Sequence, residues 1–157
     1  ADLEAQMEHV GGLSILITTS KQLIKYVRSR VNNGYAILVK NMDEAVDIAN
    51  RIAPEHLQIL TNNPMSIAKN VRHAGAIFLG PYSPTALGDY AAGPSHVLPP
   101  LGTAKFFSGL CLSDFMKTSH VISYSKKALE KVREPVDTVA KIEGLIKHAD
   151  SINVRFK

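Results

Sequence analysis

Short apolar runs alternate, along the first half of the chain, with segments whose apolar residues recur at helical spacing. The apolar runs predict buried β-strands at 14–19 (SILITT), 35–40 (YAILVK), 57–60 and 76–79. The helical segments lie at 2–9, 20–31, 43–51 and from 64 to about 75, with N-caps at Ser20, Asn41 and Asn63 and a turn at Asn33-Gly34. This alternation predicts a parallel α/β layer structure with right-handed crossovers.

A long segment, 80–109 (GPYSPTALGDYAAGPSHVLPPLGTAKFFSG), interrupts the alternation with repeated prolines and glycines. We expect no regular structure in it. The segment is rich in apolar and aromatic residues and poor in charge, unlike a disordered linker. Long loops inside compact domains are usually functional. We therefore predict an ordered loop that builds a site, with Asp89 and His96 in its middle.

The character of the chain changes after this loop. A short helix is predicted at 113–117, a strand at 119–124, and helix over 126–150 with an interruption near Pro135. The apolar side of the tail carries Val136, Val139, Ala140, Ile142, Leu145 and Ile146. We therefore divide the chain into an α/β domain, 1–112, and a tail, 113–157, which needs a surface to pack on; a second copy of the chain is one candidate.

Composition excludes several classes of protein. The 157 residues, 45% of them apolar, suit one domain with a core. A single cysteine, Cys111, excludes a disulfide framework and fits a reducing compartment. The net charge of +4 includes no basic block, which argues against nucleic acid. We expect neither a membrane span nor a signal peptide, and the uncapped helical start at Ala1 predicts a fragment or processed chain.

Several polar pairs have spacings that suit chemistry. They are Gln6 with His9 on one face of the first helix, Glu55-His56 between a helix and a strand, Asp89 with His96 in the long loop, and Glu143 with His148 in the tail. Imidazole and carboxylate ligands suit zinc. Each pair also has an ordinary reading as surface or turn residues, and spacing alone does not decide between the two. His73 and His120 have no partner pattern.

Four motifs carry a resemblance that covers almost the whole chain. ADLEAQMEH, ANRIAPEHLQI, GDYAAGPSHVLP and EGLIKHADSINVR resemble, in this order, the C-terminal part of histidinol dehydrogenase. The resemblance implies a cytoplasmic, zinc-containing homodimer that oxidises L-histidinol through histidinal to L-histidine with two NAD⁺. The combined expectation for the fold is α/β, with a Rossmann-like parallel sheet, helices on both faces, and an extended helical C-terminal tail.

The resemblance also assigns residues. It implies that zinc is bound by Gln6, His9, Asp89 and His148, and that the acid/base pair is Glu55 and His56. Substrate contacts implied in the same way are Gln6, His9, His56, Asp89, His96, Glu143 and His148. In the family, the tail glutamate and histidine reach the site from the partner subunit, which agrees with a tail that needs a surface.

Two departures from the family limit these expectations. The N-terminal portion, where NAD is expected to bind, is absent, so we expect the isolated chain to be inactive. The stretch between Thr19 and Tyr35 is shorter than in the family, either naturally or because a piece is missing. Two alternatives therefore stay open: a module that binds zinc and a histidine-like ligand without oxidation, and a dimerisation domain with an empty site.

Overall fold

The structure, a computed structural model, describes residues 1–9, 11–31 and 34–157. The predicted turn at Asn33-Gly34 falls partly outside these residues. Residue contacts divide the chain into two compact units, Ala1–Met116 and Lys117–Lys157, which are described separately below. The predicted domain boundary after residue 112 stays a prediction. Within the described ranges, no helix has both the length and the apolar character that crossing a bilayer requires.

The first unit begins with a short helix and a βαβ element. Helix α1 (Asp2–Gln6) precedes strand β1 (Ile15–Thr18), helix α2 (Lys21–Arg28) and strand β2 (Tyr35–Leu38). The two strands are parallel, with Ile15 opposite Tyr35. Ser20 caps α2 as predicted, because its hydroxyl accepts a hydrogen bond from the backbone N–H of Leu23 at 3.1 Å.

A second βαβ element follows helix α3 (Met42–Ile52). It consists of strand β3 (His56–Ile59), helix α4 (Pro64–Ala68) and strand β4 (Ala76–Leu79), with the strands again parallel. The side chains of Asn41 and Asn63 cap α3 and α4, as predicted. The predicted end of α4 near residue 75 is wrong. The Asn50 side-chain oxygen on α3 accepts hydrogen bonds from the backbone N–H groups of Arg72 and His73, which are therefore not part of a helical ladder.

The α/β class and the parallel pairing are confirmed. In the part of the chain that the structure describes, the strands form two separate pairs, β1 with β2 and β3 with β4. Each pair encloses one helix in the sequence, so the alternation of apolar runs and amphipathic segments located the elements correctly.

The expectation that 80–109 contains no regular structure is wrong. Helix α5 (Thr85–Tyr90) lies within it, and short 3-10 helices span Thr103–Lys105 and, beyond the segment, Leu112–Phe115. Proline breaks a helix only in its interior, whereas Pro84 stands at the N-cap of α5, where its missing N–H costs nothing. The segment is therefore partly helical, and Asp89 lies on a helix instead of in a loop.

The second unit consists of helices α6 (Lys126–Ile142) and α7 (Ile146–Asn153) with a 3-10 turn, Val154–Phe156. The predicted strand at 119–124 is absent from this described region, whose residues are exposed. The predicted break at Pro135 is also wrong, since α6 continues through it. The helix ends instead at Ile142, with Glu143 as its C-cap. The φ of +75° at the following Gly144 allows Leu145 N–H to bond to Ala140 C=O in a Schellman motif.

Polar side chains join α6 to α7. Asn153 accepts a hydrogen bond from Arg133 Nε at 2.7 Å and donates one to Asp137 at 2.6 Å. Lys141 also contacts the Asp137 carboxylate, at 2.6 Å. The hydrogen bonds from Lys141 and Asn153 hold the pKa of Asp137 below its ordinary value. The ionised form of Asp137 is therefore part of the contact between the two helices.

Candidate functional site

Glu55 and His56 lie where helix α3 turns into strand β3. The turn is made at Ala53, which has a left-handed φ of +51° and is fully buried. A left-handed residue at a helix C-cap reverses the chain direction sharply. The backbone of Glu55 is then fixed by its carbonyl, which accepts a hydrogen bond from the N–H of Ala76 at the start of β4. The pair predicted from sequence thus has a rigid backbone.

The register of β3 and β4 decides which side chains surround His56. Gln58 is opposite Phe78, and His56 is opposite Ala76. Because residues two apart share one face of a strand, His56, Gln58 and Phe78 lie on the same face of this pair. The rings of His56 and Phe78 are 6.0 Å apart between centroids and are tilted by 35°.

The imidazole of His56 is buried and has free nitrogens. Its side chain is 10% exposed, and within the described residues neither Nδ1 nor Nε2 has a hydrogen-bond partner. The nearest carboxylate is that of Asp89 on α5, whose Oδ1 is 3.9 Å from Nε2. This distance is too long for a hydrogen bond. Buried polar groups without partners are rare in native proteins, so this imidazole is available to a ligand.

Gln6 and His9 do not share one helix, contrary to the prediction. Helix α1 ends at Gln6, and Met7–His9 form a turn in which the His9 carbonyl accepts a hydrogen bond from Gly12 N–H at 2.8 Å. A helix this short, with no side-chain cap, has little stability of its own, so the turn replaces it. Gln6 is partly buried, and His9 is exposed.

The remaining predicted residues are exposed. His96 lies in the irregular part of the long segment. In the second unit, Glu143 is the C-cap of α6, and His148 lies in the first turn of α7. A surface ion pair of Glu143 with Lys147, four residues further along, would be the ordinary alternative to a role at a site. It is not found, because Lys147 contacts Asp150 at 3.4 Å.

The described residues of a single chain do not bring a metal cluster together. Among residues 1–9, 11–31 and 34–157, no three His, Cys, Asp or Glu side chains come close enough to hold an ion. The predicted set contains only three residues of these types, His9, Asp89 and His148, and the last belongs to the second unit. Ligands drawn from two subunits, as the resemblance implies, need no such cluster in one chain.

Sequence reasoning missed two residues that shape the surroundings of His56. Phe78 packs against its ring, and Gly88 lies against Phe78, since a Cβ at 88 would be 2.7 Å from Cζ of that ring. The available signal was the glycine immediately before Asp89, which in a predicted loop looks like an ordinary turn residue.

Comparisons with known proteins identify the family to which the chain belongs. The family model "Histidinol dehydrogenase" matches residues 1–156. Curated histidinol dehydrogenases from Caldanaerobacter subterraneus subsp. tengcongensis and Clostridium acetobutylicum are 46% and 47% identical to 99% and 100% of the chain. The crystal structure of histidinol dehydrogenase from Elizabethkingia anophelis, 28% identical, superposes with a TM-score of 0.93 over 99% of this chain and 40% of that one.

The chain is shorter than its relatives. It spans 41% of the length of both curated proteins. The Caldanaerobacter match extends over 175 positions, against 157 residues here, so at least 18 positions (175 minus 157) have a residue only in the relative. The matched residues nevertheless run through every motif described above. The chain therefore belongs to the histidinol dehydrogenase family.

Proposed function

We propose that this chain supplies the zinc ligands and the acid/base pair for the NAD-linked oxidation of L-histidinol to L-histidine. The observation that carries the proposal is the buried His56 imidazole, whose nitrogens have no partner in the described residues and which lies 3.9 Å from Asp89. A neutral imidazole in a water-poor site is suited to accept a proton near pH 7. Family membership supports histidinol as the proton donor.

The donor set fits zinc. Gln6, His9, Asp89 and His148 offer amide oxygen, imidazole nitrogen and carboxylate oxygen, which zinc accepts without thiolate ligands. When bound, the ion would hold the imidazole and amino nitrogens of the substrate and so fix its alcohol carbon. Asp89 and His56 are 3.9 Å apart and are not hydrogen-bonded to each other. In this proposal Asp89 is therefore free to bind the ion while His56 contacts the substrate.

Different residues of the chain carry out the proton transfers and bind the substrate. His56 takes the proton of the substrate alcohol. Glu55, the adjacent residue on a backbone fixed by β4, activates the water that hydrates the aldehyde before the second oxidation. Glu143 binds the substrate ammonium, and His96 and His148 contact the substrate from the long segment and the tail.

The active form is an intertwined homodimer in this proposal. Apolar side chains on the tail helices are exposed in a single chain: Val139 by 54%, Ile142 by 79% and Ile146 by 53%. An exposed apolar stripe of this kind needs a covering surface. A second copy supplies that surface and brings its Glu143 and His148 to the site. The two strand pairs are proposed to belong to one Rossmann-like parallel sheet with helices on both faces.

A second candidate function is zinc and ligand binding without oxidation. It is favoured by the lack of paired glycines in the turns that lead from a described strand to the next helix. The only paired glycines, Gly11-Gly12, precede β1, whereas a dinucleotide fingerprint follows a strand and opens a helix. NAD is therefore expected to bind to a part of the protein beyond these 157 residues.

One experiment separates the two. Zinc content, dimer mass and NADH formation with L-histidinol are measured for the isolated chain, and for a chimera in which it replaces the matching segment of the Clostridium acetobutylicum relative. We expect zinc in both proteins and NADH from the chimera alone. Zinc in both without NADH from either supports the binding module. Absence of zinc from both overturns the proposal.

A further inference from the structure

Gly88 occupies the interior of helix α5, where glycine is normally unfavourable. Alanine would favour the helix, so the position calls for a reason outside the helix. An added Cβ would lie 2.7 Å from Cζ and 2.9 Å from Cε1 of Phe78, closer than real Cβ contacts come. The Phe78 ring therefore takes the space that a side chain at 88 would need.

The same ring also faces His56. Phe78 is 8% exposed, and its ring centroid is 6.0 Å from that of His56 on the shared face of β3 and β4. Because the ring is buried, it has little freedom to move aside when its contact with α5 changes. A side chain added at position 88 would thus displace either the His56 ring or the helix that carries Asp89.

We propose that Phe78 and Gly88 are a positioning pair that sets the separation of His56 and Asp89. The ring acts as a spacer between β3 and α5, and the glycine sets how closely the helix approaches it. Asp89 directly follows Gly88, so the depth of that approach determines where the carboxylate lies. This inference rests on the proposed function, which gives His56 and Asp89 their roles.

The test uses the 157-residue chain with zinc alone as the probe. Gly88→Ala should weaken zinc binding about 10-fold, as loss of a supporting contact around a metal ligand does. Its thermal midpoint should fall modestly, because overpacking against the buried ring costs more than alanine gains in the helix. Adding Phe78→Leu should restore most of the affinity, since the smaller side chain makes room. Gly109→Ala is the matched control, since its Cβ would meet the end of the flexible Leu98 side chain at 2.9 Å and the Val97 carbonyl oxygen at an ordinary 3.5 Å.

The outcomes are distinguishable. Wild-type affinity in Gly88→Ala, or a double variant that binds no better than Gly88→Ala, overturns the inference. If Gly88→Ala does not fold, recovery of folding by Phe78→Leu supports the same spacer, and failure to recover contradicts it. If the wild-type chain binds no zinc, NMR of the His56 ring decides the inference, and the proposed function fails only if the chimera lacks zinc as well. Its Hδ2 and Hε1 signals should shift in Gly88→Ala and stay unchanged in Gly109→Ala.

Discussion

His56 Nε2 and Asp89 Oδ1 lie 3.9 Å apart although they belong to different elements, strand β3 and helix α5. The imidazole is buried, whereas the Asp89 side chain is 25% exposed. A buried imidazole beside a more accessible carboxylate allows one group to meet the substrate while the other meets an ion.

Substitution of a single proposed zinc ligand should weaken zinc binding, whereas substitution of a histidine without an assigned role should not. Asp89→Ala and His148→Ala should each strongly weaken zinc binding, because the first removes a carboxylate ligand and the second removes an imidazole ligand. His73→Ala and His120→Ala, which alter histidines with no assigned role, should leave it unchanged. Competition with a chromophoric chelator measures all four, and equal effects across the set would show that the ligand assignment is wrong.

The tail should be needed for both assembly and metal. Deletion of residues 125–157 removes α6 and α7 with His148, and should abolish dimerisation and zinc binding together. Sedimentation and zinc analysis of the same sample measure the two properties. His148→Ala is the control, since it should lose zinc and remain a dimer. A deleted chain that stays dimeric and keeps its metal contradicts the account.

Asn50 should stabilise the segment 70–73, which leads into β4. Its side chain accepts hydrogen bonds from Arg72 N–H at 2.7 Å and His73 N–H at 3.2 Å, and donates one to the Asn70 carbonyl. Asn50→Ala should therefore lower the free energy of unfolding by about 1–2 kcal/mol. Urea unfolding measures this change, with Asn62→Ala as a control on an exposed residue. Equal stability of the two variants would show that these bonds contribute nothing.

Acid should loosen the contact between α6 and α7. Since the pKa of Asp137 is lowered in the folded chain, first by the Lys141 hydrogen bond and then by Asn153, its contribution is full above the ordinary Asp value of about 3.9. The contribution is lost as pH falls through the lower folded-state pKa. NMR signals of α7 amides in urea should therefore weaken below about pH 4 in the wild-type chain.

Substitutions test the origin of this acid sensitivity. Asp137→Asn and Lys141→Gln should both reduce it, because the first removes the carboxyl and the second removes its strongest hydrogen bond. Lys131→Gln, which removes the same charge elsewhere on α6, should leave it as in the wild-type chain. Unchanged acid sensitivity in Asp137→Asn would assign the effect to other groups.

Local sequence signals predicted the presence of helices and strands well, and the residues at which helices end less well. The apolar runs and the cap residues Ser20, Asn41 and Asn63 located the strands and helix starts because these effects act within a few residues. The end of α4 depends on Asn50, a residue from another helix, which no local pattern contains. Likewise, α6 continues through Pro135 and ends at Ile142, because the Schellman motif at Gly144 sets the boundary and the proline does not.

The candidate site was predicted by a mixture of spacing and resemblance. The adjacency of Glu55 and His56 at a helix–strand junction was readable from sequence, and the structure gives that junction a left-handed Ala53. The closeness of His56 and Asp89 was not readable, because it depends on how α5 packs on β4. The helical spacing of Gln6 and His9 failed since α1 ends at Gln6.

The most direct test of the central claim is NADH formation from L-histidinol by the chimera that carries His56→Asn, with its zinc content measured in the same sample. We predict strongly reduced turnover with zinc fully retained, because His56 takes the proton and is not a metal ligand. Glu55→Gln should behave in the same way. Full turnover in His56→Asn, or loss of zinc together with activity, would contradict the role assigned to this buried imidazole.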